Sequence, residues 1–72
     1  MNNARRKAIK DAVRKIVDLV QNILDDEQEA YDNMPESLQE SDNGLNSVDA
    51  QDNLEAAIES LEEAISYLEE IY

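Results

Sequence analysis

Two long stretches of the chain repeat apolar residues at the spacing of an α-helix. In the first, from about residue 3 to 33, alternating steps of four and three connect one row of mainly apolar positions: Ile9, Val13, Ile16, Val20, Ile23, Glu27 and Ala30. In the second, from about residue 48 to 72, the same steps connect Leu54, Ile58, Leu61, Ile65, Leu68 and Tyr72. Such spacing is typical of helices that pack along a seam. The pattern predicts an all-α fold with two long helices.

Further apolar rows with a period of seven run beside each predicted seam. Val17, Leu24 and Tyr31 accompany the first, while Ala57, Ala64 and Ile71 accompany the second. The stripes are therefore wider than a two-stranded coiled coil needs, and they suit a four-helix bundle. We expect an antiparallel, coiled-coil-like hairpin that associates as a homodimer or a higher homo-oligomer. The predicted interface residues are Ile9, Val13, Ile16, Val20, Ile23, Leu54, Ile58, Leu61, Ile65 and Leu68.

The segment between the helices, residues 34–47, predicts a corner. Pro35 cannot continue the helix before it, but it suits the first position of a new helical turn. The following "SDNG" is typical of a turn in which Gly44 adopts positive φ. Ser47 or Asp49 is then the expected cap of the second helix.

The length and composition limit both the size and the chemistry of the protein. A chain of 72 residues forms one domain at most, and without oligomerisation its core would be small. It contains neither cysteine nor histidine, which excludes a disulfide and the common zinc and iron sites. A calcium loop centred on Gly44 would begin at Gln39 and end at Ala50, which are unsuitable ligands. We therefore expect a non-enzymatic protein without a metal or cofactor.

No apolar run approaches the roughly 20 residues of a membrane-spanning helix. We expect a soluble protein of the cytoplasm.

Charge is strongly segregated along the chain. All six basic residues lie between positions 5 and 15, so residues 1–24 carry +4 and residues 25–72 carry −16. An antiparallel hairpin would bring Arg14 close to position 67, within reach of the acidic residues near the end of the second helix. These include Glu62, Glu63, Glu69 and Glu70.

Three basic residues, Arg5, Arg6 and Lys7, would extend past the end of the second helix in this hairpin. They would meet acidic residues of a second protomer, remain solvated, or form a small anion-binding patch. Direct nucleic-acid binding is not expected, because three cations on a chain of net charge −12 are a weak phosphate-binding surface.

Two polar residues, Glu27 and Gln51, occupy predicted seam positions toward the corner. A polar residue in a seam can fix the register of the helices at some cost in stability. Alternatively, the seam is already open to water at this point. The sequence leaves both interpretations open.

The stretches "YDNMPESLQES" and "NLEAAIESLEEAISYLEEI" resemble those of small, acidic, uncharacterised proteins encoded by phages and prophages of Gram-positive bacteria. The resemblance covers about residues 27–71 and is most specific from Tyr31 to Gln39, but it does not extend to the basic first helix. It implies a helical hairpin and a phage-related origin, which would place the protein in the cytoplasm of a bacterial host. It implies no activity. It also makes the corner a candidate recognition site, formed by Tyr31, Asp32, Asn33, Met34 and Pro35.

Two functions fit these observations. The first is a protein–protein interaction module that acts as a helical homo-oligomer and binds an unidentified host or phage protein through its acidic surface or its corner. The alternative is a nucleic-acid mimic or anti-defence inhibitor that presents carboxylates to a basic groove. The carboxylates in question are Glu55, Glu59, Glu62, Glu63, Glu69 and Glu70.

Overall fold

Two long antiparallel helices, joined through one short helix, make up the fold. The computed structural model describes residues 2–71 and contains α1 (Asn3–Asp32), α2 (Glu36–Gln39) and α3 (Asp42–Glu69). α1 and α3 pack against each other along an elongated body of 55 × 15 × 11 Å. No strand occurs in this part of the chain, so the predicted all-α hairpin is confirmed. Tyr72, the predicted end of the second helix, lies outside the described residues.

The bounds of α1 agree with the prediction to within one residue. Its N-cap is Asn2, whose side-chain oxygen accepts a 2.8 Å hydrogen bond from the backbone N–H of Arg5. This bond satisfies one of the N–H groups that a helix leaves unpaired in its first turn. The helix ends at Asp32, before Pro35, as the conformational restriction imposed by proline requires.

The predicted start of the second long helix was wrong by six residues. α3 begins at Asp42 with Ser41 as its N-cap, so neither Ser47 nor Asp49 caps it. The predicted "SDNG" turn is absent, because Gly44 is helical and no residue of the described chain has positive φ.

Close packing, rather than a turn, explains the glycine at position 44. A Cβ atom on Gly44 would lie 2.0 Å from the backbone oxygen of Gln39 in α2. Only a residue without a side chain lets α2 fold back so tightly onto the first turn of α3. The sequence predicted that Gly44 provides backbone freedom in a turn, whereas in the structure it allows the close contact between α2 and α3.

Half of the α1 seam agrees with the predicted row, which includes Val13 and Val20, and the other half lies one position away from it. Leu24 is only 4% exposed, and Val13, Val17 and Val20 are half-buried. The isoleucines predicted for the seam are among the exposed side chains of α1: Ile9, Ile16 and Ile23. That part of the seam prediction was wrong. Two adjacent apolar rows, one through Ile16 and one through Val17, have the same period, and the sequence does not show which of them faces α3.

On α3, the least exposed row includes buried Ile58 and Ile65. The three leucines between and beside them, Leu54, Leu61 and Leu68, are half-buried. The hairpin therefore has a thin core, with two helices sharing one narrow seam. Within residues 2–71, no helix is both long enough and apolar enough to cross a bilayer.

Candidate interaction surfaces

The two long sides of the hairpin differ in chemistry, and helix geometry explains how the chain separates them. Each residue turns the helix by about 100°. A residue that directly follows a seam residue therefore lies on one side of the seam, as Arg14 does after Val13. A residue that directly precedes one lies on the other side, as Ile16 does before Val17.

The first side, called here the acidic flank, is lined by charged and amide side chains. Toward the open end of the hairpin, Arg14 and Asp18 share a groove with Glu62 and Glu69. Nearer the corner, a second groove on this side is lined by Gln21, Leu24, Gln28, Glu55, Ile58 and Glu59. Three of these carboxylates recur every seven residues along α3: Glu55, Glu62 and Glu69.

One ion pair crosses between the helices on the acidic flank. Nη2 of Arg14 donates to Oε1 of Glu69 at 2.9 Å. The sequence placed Arg14 close to position 67, and the observed partner lies two residues farther on. Both side chains are about half exposed, so the pair contributes at most about 1 kcal/mol to stability. Its main effect is on the relative orientation of the two helices.

On the opposite side, called here the apolar flank, the row next to the seam has no charged residue on either described helix, and Asp26 lies farther out on α1. The members of this row are Ile9, Ile16, Ile23 and Ala30 on α1, and Ala50, Ala57 and Ala64 on α3. Ile16 and Ile23 are 47% and 49% exposed, and Leu19, farther out on α1, is 60% exposed. These large side chains form a ridge of exposed apolar surface, whereas the facing row on α3 contains only alanine. Contiguous apolar surface of this kind marks interaction sites in soluble proteins.

Three hydrogen-bonded polar side chains interrupt the apolar seam near the corner. The hydroxyl of Ser47 donates to Oε1 of Glu27 at 2.7 Å, and Nε2 of Gln51 lies 3.4 Å from the same hydroxyl oxygen. Ser47 is buried, whereas Glu27 and Gln51 are half-buried. The two polar seam residues identified in the sequence are thus linked through a serine that was predicted as a cap. The only signal in the sequence was spacing, since Ser47 lies four residues before Gln51.

The basic end of α1 contacts other parts of the hairpin. The Arg6 guanidinium donates to the backbone oxygen of Ile71 and to the side-chain oxygen of Asn3. Arg6 therefore contacts the backbone just beyond the end of α3. The prediction that Arg6 extends past the end of the hairpin was wrong.

Lys7 pairs within α1, since its Nζ lies 2.7 Å from Oδ2 of Asp11. This hydrogen bond lowers the pKa of Asp11 below its usual value of 3.8 and raises that of Lys7 above 10.5. The side chain of Arg5 is exposed. Two members of the predicted anion patch are thus engaged by groups of the hairpin itself.

The corner presents polar and apolar groups side by side. Asp32, Asn33 and Pro35 are exposed, whereas Tyr31 and Met34 are half-buried. Nε2 of Gln39 donates to the backbone oxygen of Tyr31 at 2.9 Å, which ties α2 to the end of α1. Three aliphatic side chains close to the corner are exposed: Leu38, Leu45 and Val48.

Among residues 2–71, no group of three or more carboxylates is arranged to hold a metal ion. The chain matches no protein-family model, no curated protein and no solved structure. The likeness of the corner to phage-encoded proteins therefore stays a prediction.

Proposed function

We propose that this protein is a non-enzymatic interaction module of phage or prophage origin. It acts as a helical homo-oligomer in the cytoplasm of a bacterial host and binds a host or phage protein. The observation that carries this proposal is the division of the hairpin into an apolar flank and an acidic flank. The apolar flank supports self-association, which leaves the acidic flank and the corner to bind another protein.

The molar mass in solution tests the first half of the proposal. Sedimentation equilibrium at low micromolar concentration is expected to give a dimer or a larger assembly. A folded monomer of 8.2 kDa would contradict self-association and would leave the apolar flank open for a different partner.

Matched charge variants test the second half. Affinity capture from host lysate uses the unmodified chain and a variant of the acidic flank, Glu55→Gln with Glu62→Gln and Glu69→Gln. The control neutralises three carboxylates on the outer face of the same segment: Asp49→Asn, Glu63→Gln and Glu70→Gln. A partner of the acidic flank should be retained by the control and lost by the flank variant.

The corner is tested in the same experiment with Asp32→Ala and Asn33→Ala, both at exposed positions. A partner that only this variant loses would place recognition at the corner. A protein that all variants retain equally is bound by neither surface and would contradict the proposal.

A second candidate, mimicry of nucleic acid, is favoured by the row of carboxylates along the acidic flank. The low density of charge along α3 argues against this candidate. α3 carries eight acidic residues over 28 positions, which is about one charge per 5 Å of helix at 1.5 Å per residue. Duplex DNA carries one charge per about 1.7 Å of its axis. Salt-sensitive capture of a nuclease or another DNA-binding protein would support mimicry, whereas captured proteins without a basic groove would exclude it.

A further inference from the structure

The apolar flank contains large side chains on one helix and small ones on the other. Arg14 pairs with Glu69 and Glu27 bonds to Ser47, and these contacts set the relative height of the two antiparallel helices. Two isoleucines of the apolar flank therefore each lie within about one helical turn of an alanine on α3. Ile16 stands near Ala64, and Ile23 stands near Ala57. At each of these levels the flank has a projection on α1 and a recess on α3.

Such a surface is complementary to itself. We infer that a second copy of this chain covers the apolar flank, with the isoleucine ridge of α1 seated on the alanine row of the partner's α3. This inference rests on the homo-oligomer of the proposed function and specifies its interface and orientation. The four helices then form a bundle whose two corners lie at the same end, related by a twofold axis parallel to the helices.

Side-chain size distinguishes this arrangement from the other twofold dimer. If the partner were reversed end to end, α1 would lie on the partner's α1 and α3 on the partner's α3. Isoleucine would then meet isoleucine while alanine faced alanine, which leaves one half of the interface crowded and the other half loosely packed. In the arrangement inferred here, each Ile16 meets an alanine. The distance between the two hairpins is therefore the same in both halves of the interface.

Charge favours the same arrangement independently. α3 carries eight acidic residues and no basic one, so two neighbouring α3 helices would repel each other. Placing α1 beside the partner's α3 brings the basic N-terminal half of α1 close to the acidic C-terminal half of α3. The acidic flank is a poorer self-interface, because two copies would bury Glu55, Glu62 and Glu69 there, and removing carboxylates from water is costly. The apolar flank is thus the side on which two copies associate.

Two adjacent alanines provide a matched test of the interface. Ala57 lies on the apolar flank and Ala56 lies on the outer face of α3, and both are exposed in the hairpin. Ala57→Glu and Ala56→Glu add the same charge to the same helix turn. We expect sedimentation equilibrium to show a folded monomer for Ala57→Glu and an unchanged dimer for Ala56→Glu, with helical content checked by circular dichroism. Equal behaviour of the two variants would overturn the inference.

A distance measurement tests the orientation. The chain has no cysteine, so a spin label at Ser37→Cys, an exposed position of α2, is unique within each copy. With both corners at one end, the two labels are separated by the width of a bundle, on the order of 20–30 Å. In the reversed dimer they are separated by a distance close to the 55 Å length of the hairpin.

A repeat measurement with Ala4→Cys, at the open end, should likewise give a short distance. Long distances at both positions would overturn this inference but leave the proposed oligomer standing. The absence of any intermolecular distance, together with a monomeric mass, would overturn both.

Discussion

The hydroxyl of Ser47 in α3 donates a 2.7 Å hydrogen bond to the carboxylate of Glu27 in α1. The serine is 4% exposed, while Glu27 is half-buried and therefore keeps part of its carboxylate in contact with water. The bond joins the helices at a height where neither supplies a large apolar side chain to the seam. It can form only in one register, because sliding α3 by one turn would replace Ser47 with a different residue.

Replacing Ser47 with alanine removes this bond. We expect Ser47→Ala to lower the free energy of unfolding by about 1 kcal/mol, since the lost bond involves a charged acceptor that water can partly rehydrate. Urea unfolding at fixed protein concentration measures the change. Ser66→Ala is the control, because the exposed Ser66 hydroxyl bonds within its own helix, to the backbone oxygen of Glu62. An equal loss in both variants would show that the Glu27 contact is not what stabilises the seam.

Gly44→Ala reverses the usual effect of this substitution. In a helix, alanine is normally favoured over glycine by about 1 kcal/mol. Here the new Cβ atom would lie 2.0 Å from the backbone oxygen of Gln39, so α2 must move away from α3. We expect a net destabilisation of about 1–3 kcal/mol in urea unfolding.

Asn46→Ala provides the control for the glycine, since Asn46 is an exposed position in the same helix turn. This variant should be neutral or slightly stabilising, because alanine is the better helix former. A gain in stability for Gly44→Ala would show that the close contact between α2 and α3 does not form in solution.

The periodicity of the sequence was sufficient to predict the hairpin. Spacings of four and three residues identify α1 and α3 without any long-range information, and Pro35 marks the end of the first helix. The seam row of α1 could not be chosen in the same way, because Ile16 and Val17 belong to adjacent rows that are equally apolar. Which row faces α3 depends on the relative rotation of the two helices, and that rotation is a tertiary property.

The start of α3 was missed for a related reason. "SDNG" is a strong local turn signal, yet Asp42 and Gly44 are helical because the corner is closed by α2 packing onto α3. The importance of Ser47 was likewise hidden, since its role depends on Glu27, twenty residues away. The division into two flanks follows from the seam assignment, so it became visible only when the row at Val17 and Leu24 was known to face α3.

The pair between Lys7 and Asp11 predicts a specific titration. The hydrogen bond from Lys7 holds the pKa of Asp11 below its usual value of 3.8, and the charges of Lys7, Lys15 and Lys10 act in the same direction. Because the folded pKa is the lower one, the stabilisation is present above the unfolded pKa and is lost as the pH falls through the folded pKa. Carboxyl-detected NMR titration should show this depressed value.

Two lysine variants separate the causes of the depressed pKa. Lys7→Met should bring the pKa of Asp11 back toward 3.8, because both the hydrogen bond and the nearest charge disappear. Lys15→Met should move it less, since Lys15 acts only through its charge. A pKa of Asp11 that does not respond to Lys7→Met would mean that the pair is not populated in solution.

Added salt should stabilise this protein. Five like-charged pairs lie three or four positions apart on α3: Asp49–Asp52, Asp52–Glu55, Glu55–Glu59, Glu59–Glu62 and Glu59–Glu63. Each such pair costs about 0.2–0.5 kcal/mol, so together they cost on the order of 1–2 kcal/mol at low ionic strength. Salt screens this repulsion and also weakens the exposed ion pairs of Arg14 and Lys7, which are fewer.

We therefore expect Tm to rise by about 4–8 °C between 10 and 300 mM NaCl, as a gain of about 1 kcal/mol does in a chain of this size. Asp52→Asn with Glu59→Gln removes all five pairs, so this variant should be more stable at low salt and should respond less to NaCl. Glu36→Gln with Glu70→Gln changes the net charge equally but leaves the five pairs intact, and it should keep most of the salt response. If both double variants lose the response to the same extent, net charge rather than the pairs along α3 controls stability.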